Sequence, residues 1–152
     1  MPARLREVAG AIDMSPSEVD MYIHRVTGEI VMVEDSVLAA IRKKKTPRPS
    51  ALPEESVEDA RRVAAEKDAF VQLPAQQSYD GYRLMEDFCG TVEDARIRER
   101  LEDAIRGKGA FRRFKDMVRR TGVEQDWYAF RNAAILEVAR AFLEEHEIPY
   151  EA

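Results

Sequence analysis

The residues best suited by type and spacing to do chemistry are the basic ones between Arg106 and Arg120. Arg106, Lys108, Arg112, Arg113, Lys115, Arg119 and Arg120 share that stretch with a single acid, Asp116. Guanidinium and ammonium groups at this density can hold phosphates, or the carboxylates of an acidic protein surface. A second run, Arg42, Lys43, Lys44, Lys45 and Arg48, contains no acid at all. The whole chain nonetheless has a formal charge of −5, so with excesses of six and five set aside for these two stretches the remainder is net −16. Charge segregated in this way orients a molecule on a polyanion, on a charged protein or on a second copy of itself. The candidate polyanion- or partner-binding residues are Lys43, Lys44, Lys45, Lys108, Arg112, Arg113, Lys115, Arg119 and Arg120.

Other reactive types are sparse. The single cysteine, Cys89, has no intramolecular disulfide partner and lies in Phe88-Cys89-Gly90 on an apolar face, where it reads as a small buried hydrophobe. His24 and His146 have no partner at ligand spacing, so no metal is expected. The carboxylate pairs Glu54/Glu55, Glu86/Asp87, Glu93/Asp94 and Glu144/Glu145 fall where helix starts or wet faces put them. Gly107-Lys108-Gly109 lacks the longer glycine-rich run and the preceding strand of a phosphate loop, and reads as a hinge between helices. The expectation is a protein that is not an enzyme and takes no cofactor.

The basic groups need a helix to carry them. From Ala110 to Thr121, Phe111, Phe114 and Met117/Val118 form one apolar stripe, and Gly122 follows where a left-handed cap needs no Cβ. Arg112/Arg113 and Arg119/Arg120 are adjacent pairs two helical turns apart, hence on one side. They either pair with acids of the same chain, above all those of residues 86–103, or meet a partner. In a last helix from Glu124 to Glu145, Trp127, Phe130, Ala134, Val138 and Ala141/Phe142 repeat every three to four residues. Phe111, Phe114, Trp127 and Phe130 read as the core that locks these two helices together.

The segment from Gly107 to Asp116, GKGAFRRFKD, the run Asp126-Trp127-Tyr128-Ala129-Phe130 and the end Ile148-Pro149-Tyr150-Glu151 resemble the bacterial uncharacterised protein family numbered 158. Thr27-Gly28-Glu29 and the aromatic and acidic run from Tyr79 to Phe88 are similar to its earlier segments, so the resemblance covers most of the chain; residues 43–53 lie outside it. The family is defined by similarity and not by an activity, so the resemblance implies no reaction and no ligand.

Towards the N-terminus, Leu5, Val8, Ala9 and Ile12 give a short amphipathic helix. Residues 15–34 admit two readings. Ser15-Pro16-Ser17-Glu18 is a capping box with Pro at the first helical position, and Val19, Ile23 and Val26 keep helical spacing. Alternatively Met21 to Val26 pairs with Ile30 to Glu34 across Thr27-Gly28. The hairpin is preferred, because Ile30-Val31-Met32-Val33 is β-prone and a lone strand has no stable home. Asp35 or Ser36 then caps a helix through Val37, Leu38, Ala39 and Ile41, and KKKTPRPSALP, Lys43 to Pro53, reads as an extended linker. Beyond it, a helix from Ser56 turns Val57, Ala60, Val63 and Ala64 inward, and Phe70 to Leu73, stopped by Pro74, reads as a short strand or an extended connection, which suits an edge position and as a strand can add to the hairpin. Ser78 caps a helix with Tyr79, Tyr82, Met85 and Phe88/Cys89 in a stripe; Thr91 with Asp94 opens the next, with Ile97, Leu101, Ala104 and Ile105 inward.

With 152 residues, 45% of them hydrophobic and 35% charged, the composition is that of a folded, helix-rich protein. No stretch approaches the roughly 18 apolar residues of a membrane span, and MPARLREVAG lacks the apolar core of a signal peptide. A cytoplasmic location away from membranes is expected. The fold expected is α+β and mostly helical, a four- to five-helix C-terminal assembly with an N-terminal β-hairpin. Its divisions are a helix-plus-hairpin unit over 1–42, a linker over 43–55 and a helical domain over 56–152. The function expected is a small protein-interaction module that meets a protein partner or itself. The alternative is an RNA-binding accessory protein that uses the basic helix 106–120 and the basic linker.

Overall fold

β-branched residues on both sides of Thr27-Gly28 fold the chain back on itself, and the rest of the N-terminal half is built on that turn. The computed structural model describes residues 2–14, 19–44, 54–74 and 81–152. In chain order they form β1 (Ala3–Arg4), α1 (Leu5–Met14), β2 (Val19–His24), β3 (Ile30–Glu34), α2 (Asp35–Arg42), α3 (Glu54–Ala65), β4 (Phe70–Gln72), α4 (Gly81–Thr91), α5 (Ala95–Ala104), α6 (Ala110–Arg120), α7 (Glu124–Glu145) and β5 (Tyr150–Glu151). The protein is α+β and mostly helical.

The chain divides into two compact units, Met1–Ser78 with Leu136–Ala152, and Tyr79–Ile135. β4 lies beyond residues 43–55 and pairs antiparallel with β2, Tyr22 opposite Gln72 and His24 opposite Phe70. The sheet order is β3-β2-β4, with β2 also antiparallel to β3. Alternation puts Tyr22, Val31, Val33 and Phe70 in one cluster with Val37 and Leu38 of α2 and Ala60 and Val63 of α3. Ile23 points to the other face and is fully buried. Arg62 of α3 donates to both carboxylate oxygens of Glu29 at 2.8 and 3.1 Å, and its guanidinium lies 5.4 Å from the Phe70 ring centre.

Three ties hold the hairpin turn. The Nδ1 atom of His24 accepts from the amides of Val26 and Thr27 at 3.1 and 3.2 Å, and the His24 ring meets Phe70 edge-on at 5.0 Å. Arg25 donates to the carbonyls of Asp68 and His146. Gly28 sits against the backbone of β1, which pairs in parallel with β5, Ala3 opposite Tyr150. Nothing in the local pattern announces a pair of two-residue strands from the two ends of the chain. Neither Asp35 nor Ser36 caps α2: Glu34 holds the N-cap position without a side-chain bond, and Asp35 is in the first turn. Ser15 to Glu18 and Lys45 to Pro53 lie outside the described residues, as does the Ser78 cap.

In the second unit, α4, α5, α6 and the start of α7 close on a core of Met85, Phe88, Cys89, Leu101, Ile105, Phe114, Val118 and Trp127. Phe114 and Trp127 meet edge-to-face at 4.7 Å, and Phe88 touches both at 6.1 and 5.4 Å. Phe130 packs against the cluster half-buried. Phe111 does not enter it: it is 56% exposed, and the buried face of α6 is Ala110, Phe114 and Val118. At 100° per residue Phe111 lies about 60° from the centre of that face, on its rim. Tyr82 is likewise 40% exposed, outside the stripe of Met85, Phe88 and Cys89. Asp94, not Thr91, caps α5, accepting from the amides of Arg96 and Ile97; the Thr91 hydroxyl donates back to the Phe88 carbonyl. In α7 the buried residues are Trp127, Ile135, Ala139, Phe142 and Leu143, while Ala134 and Val138 are half-buried. These do not form the single stripe of Trp127, Phe130, Ala134, Val138 and Ala141/Phe142 read from the sequence; Ala141 is exposed.

Candidate functional site

The basic side chains of α6 have three different fates. Arg113 folds back on the end of α5: its Nε donates to the Ala104 carbonyl at 3.0 Å, and its two terminal nitrogens donate to the carbonyls of Lys108 and Arg106. Those oxygens have no partner within α5, so the guanidinium closes the helix end and fastens the Gly107–Gly109 turn. The hinge expected there is a fixed corner. Arg119 pairs with Glu124 at 3.2 Å and Arg120 with Asp116 at 2.9 Å. Both arginines remain more than 70% exposed, where such pairs contribute little. Neither pair uses an acid of residues 86–103; from that stretch only Asp103 meets a basic residue of the run, Arg106, at 3.6 Å.

Arg112 and Lys115 project from the outer side of the same helix and have no ion-pair partner among the described residues, beside exposed Phe111. Lys108 is exposed in the turn before them. Lys43 and Lys44 follow α2 in the other unit, both exposed, and Lys45 lies outside the described residues. The Tyr79–Ile135 unit holds 12 basic and 11 acidic residues, so the excess of acid belongs to the other unit.

A cleft of about 620 Å³ opens at the other end of α4. Its apolar lining comes from Phe88, Val92, Ile97, Val123 and Phe130, and Glu93, Asp94 and Asp126 bring three carboxylates to it. Asp94 is partly used as the cap of α5. Glu93 and Asp126 are exposed and have no hydrogen-bond or ion-pair partner among the described residues. The volume is in the range of small-ligand and side-chain pockets. An apolar floor edged by unneutralised carboxylates suits an apolar group carried next to positive charge. No sequence pattern pointed to this cleft, because its lining comes from two stretches, 88–97 and 123–130, that only the fold brings together. Glu93/Asp94 read from sequence as wet helix-start acids, and their meeting with Asp126 is a tertiary fact.

The model of an uncharacterised protein family, UPF0158, matches residues 2–152. The chain belongs to that family. No curated protein and no solved structure matches it.

Two further features of this UPF0158 protein bear on its chemistry. The Cys89 thiol is buried, and burial pushes its pKa up to about 11, aided by the charge of Glu102, so the thiolate is scarce at neutral pH. Among the described residues no group of three metal-ligating side chains comes together, and no helix is long and apolar enough to cross a membrane.

The second feature is a carboxylate pair at the start of β2. Burial, then a hydrogen bond and the charge of Asp35, raise the Asp20 pKa to about 6; Gln72 and Arg42 oppose the shift. The folded chain therefore holds this proton to higher pH than the unfolded chain does. The stability it contributes is complete below about pH 4 and is lost as the pH rises through 6. Allowing for solvent screening of a half-buried group, the loss is about 1 kcal/mol. Asp20→Asn is expected to melt a few degrees above the wild type at pH 8 and level with it at pH 4. A melting series in which the gap does not change with pH would remove Asp20 as its source.

Proposed function

We propose that this protein is a non-enzymatic, cytoplasmic protein-interaction module whose docking site is the cleft between α4, α5 and the start of α7. The observation that supports it is the combination of an apolar floor with Glu93, Asp94 and Asp126, of which Glu93 and Asp126 have no hydrogen-bond or ion-pair partner among the described residues. The complementary ligand is a protein segment with an aromatic or large aliphatic side chain flanked by Arg or Lys. Trp127, the single tryptophan, lies 5.4 Å from the ring of Phe88, which lines the cleft, so its emission reports on occupancy.

The test is a fluorescence titration with the short peptide KRFRK and its charge-reversed counterpart EDFDE. Saturable binding of the first with a Kd of about 1–100 μM, weakened roughly tenfold or more by Glu93→Lys or Asp126→Lys, is the expected result. Equal binding of both peptides, or of neither, would overturn the reading.

A second reading, RNA binding, is favoured by one observation: Arg112 and Lys115, neither with an ion-pair partner among the described residues, lie beside an exposed aromatic, Phe111, as in stacking platforms for single strands. It ranks behind the first, because Arg113, Arg119 and Arg120 are already engaged within the chain. Binding to a single-stranded RNA that falls steeply with salt, and disappears in Arg112→Gln/Lys115→Gln, would reverse the order.

A further inference from the structure

The same unit that carries the acidic cleft also carries a group of the chemistry that fits it. Phe111, at the start of α6, exposes more than half of its surface, and Lys115 follows one turn later on the same side, with Arg112 adjacent. Neither cation has an ion-pair partner among the described residues. The Phe111 ring stands over Gly81, at the first residue of α4; a Cβ built there would lie 3.1 Å from it. The cleft is lined by Phe88 and Val92, at the last turn of α4 and just beyond it. Phe88 lies seven residues and Val92 eleven residues beyond Gly81, about 10 and 16 Å along the helix direction. Within this unit the aromatic knob and the cleft thus lie at opposite ends of one helix, where the knob of a copy cannot fill its own cleft.

We infer that the occupant of the cleft is a second copy of this chain: Phe111 of one molecule enters the cleft of the next, with Arg112 and Lys115 against Glu93 and Asp126. This rests on the docking role given to the cleft above and names what docks there. Because donor and acceptor surfaces differ, the contact is head-to-tail, and each added molecule presents a fresh knob and a fresh cleft. The contact is small, below the roughly 1,200 Å² of standard specific interfaces, so assembly is expected only at about 10 μM to 1 mM protein. It weakens with salt, which screens the ion pairs, without vanishing, since Phe111 still loses water on entry.

The experiment is sedimentation of the full chain over that concentration range, alone and with two variants, Phe111→Glu (no knob) and Glu93→Lys (repelling cleft). The wild type is expected to grow beyond the dimer with concentration. Each variant alone should stay monomeric, and their equimolar mixture should stop at a one-to-one dimer, because the single variant with a good knob then meets the single variant with a good cleft. Formation of that dimer also shows that both variants are folded. A wild type that stays monomeric to 1 mM, variants that assemble as the wild type does, or a mixture that stays monomeric would each overturn the inference. In those cases, continued binding of KRFRK leaves the cleft a docking site for another protein, whereas loss of peptide binding removes the docking reading itself. Binding of single-stranded RNA that is lost in Phe111→Glu and kept in Glu93→Lys, with no assembly of the wild type, would assign the knob to RNA instead.

Discussion

Phe114→Ala is expected to destabilise the protein by about 3–5 kcal/mol, while Phe111→Ala, three residues earlier in the same helix, costs under about 1 kcal/mol. Both are phenylalanines of the Phe111-Arg112-Arg113-Phe114 run, so the contrast isolates burial from residue type. Phe114 is 0% exposed and meets Trp127 and Phe88 edge-on at 4.7 and 6.1 Å. Truncation forfeits the transfer of a whole ring, two edge-to-face contacts of about 0.5–1.5 kcal/mol each, and leaves a cavity at the junction of α4, α6 and α7. Phe111 gives up only the half of its surface that now rests near Gly81. Thermal unfolding should show a midpoint lowered by about 10 °C or more for the first variant and by a few degrees at most for the second. Trp127 supplies an internal check, since a cavity beside it lets water reach the indole and shifts its emission to the red in the folded state. Equal losses in the two variants would mean that the core of the Tyr79–Ile135 unit is not the aromatic triangle of Phe88, Phe114 and Trp127.

That contrast also marks where sequence reading stops. Periodicity located α6 and the aromatic cluster, but Phe111 and Phe114 are both three or four residues from apolar neighbours, and only the packing of α4 and α7 decides which one lies at the centre of the buried face. The hairpin was legible because β-branched residues run on both sides of a Thr-Gly turn, and Gly122 because it follows α6 at the point where the Val123 amide reaches back to the Val118 carbonyl. β4 was legible as a short strand or extended connection stopped by Pro74 that can add to the hairpin, but not that β2 is the strand it joins. Arg113 was not: its role depends on the carbonyls of Ala104, at the end of α5, and of Arg106 and Lys108 in the turn, which come within its reach only once the chain has turned at Gly107 and Gly109. The single stripe expected for α7 is likewise not what is buried: Trp127, Ile135, Ala139, Phe142 and Leu143 are, while Ala134 and Val138 stay half-buried and Ala141 exposed.

The site divides in the same way. The concentration of positive charge between Arg106 and Arg120 is a property of the sequence, but its availability is not. Local pairing and capping take Arg113, Arg119 and Arg120, and leave Arg112 and Lys115 beside an aromatic that periodicity had assigned to the core. The acidic side of the proposed contact was hidden more completely. Glu93 and Asp126 are 33 positions apart, and each alone fits the first turn or approach of a helix, where negative charge is favoured by the helix dipole. Their placement around an apolar cleft gives them a second use that local rules do not require.

Gly28→Ala is expected to cost about 2–4 kcal/mol, more than glycine-to-alanine changes at other left-handed positions of the chain. Gly28 has φ +74°, and an alanine in that conformation loses about 1 kcal/mol before any contact is considered. Gly107, at φ +76°, has open space where its Cβ would go, so Gly107→Ala should show that conformational cost alone. At Gly28 a Cβ would lie 2.8 Å from the amide nitrogen and 2.9 Å from the Cα of Ala3. Those are backbone atoms, so no rotamer change relieves the overlap, and either the turn or β1 must move. β1 has little to resist with: two residues paired to β5, and the Ala3 amide donating to the Pro149 carbonyl at 3.1 Å. Displacing it forfeits that bond and leaves the amide of buried Ala3 without its acceptor, about 1–3 kcal/mol more. Hydrogen exchange separates the two contributions. In Gly28→Ala the Ala3 amide should lose protection while the amides of β2 and β3 keep most of theirs, and in Gly107→Ala the Ala3 amide should be unchanged. If Gly28→Ala and Gly107→Ala unfold at the same temperature, the close approach of the hairpin turn to β1 contributes nothing to stability, and the glycine at position 28 serves only its own dihedral angle.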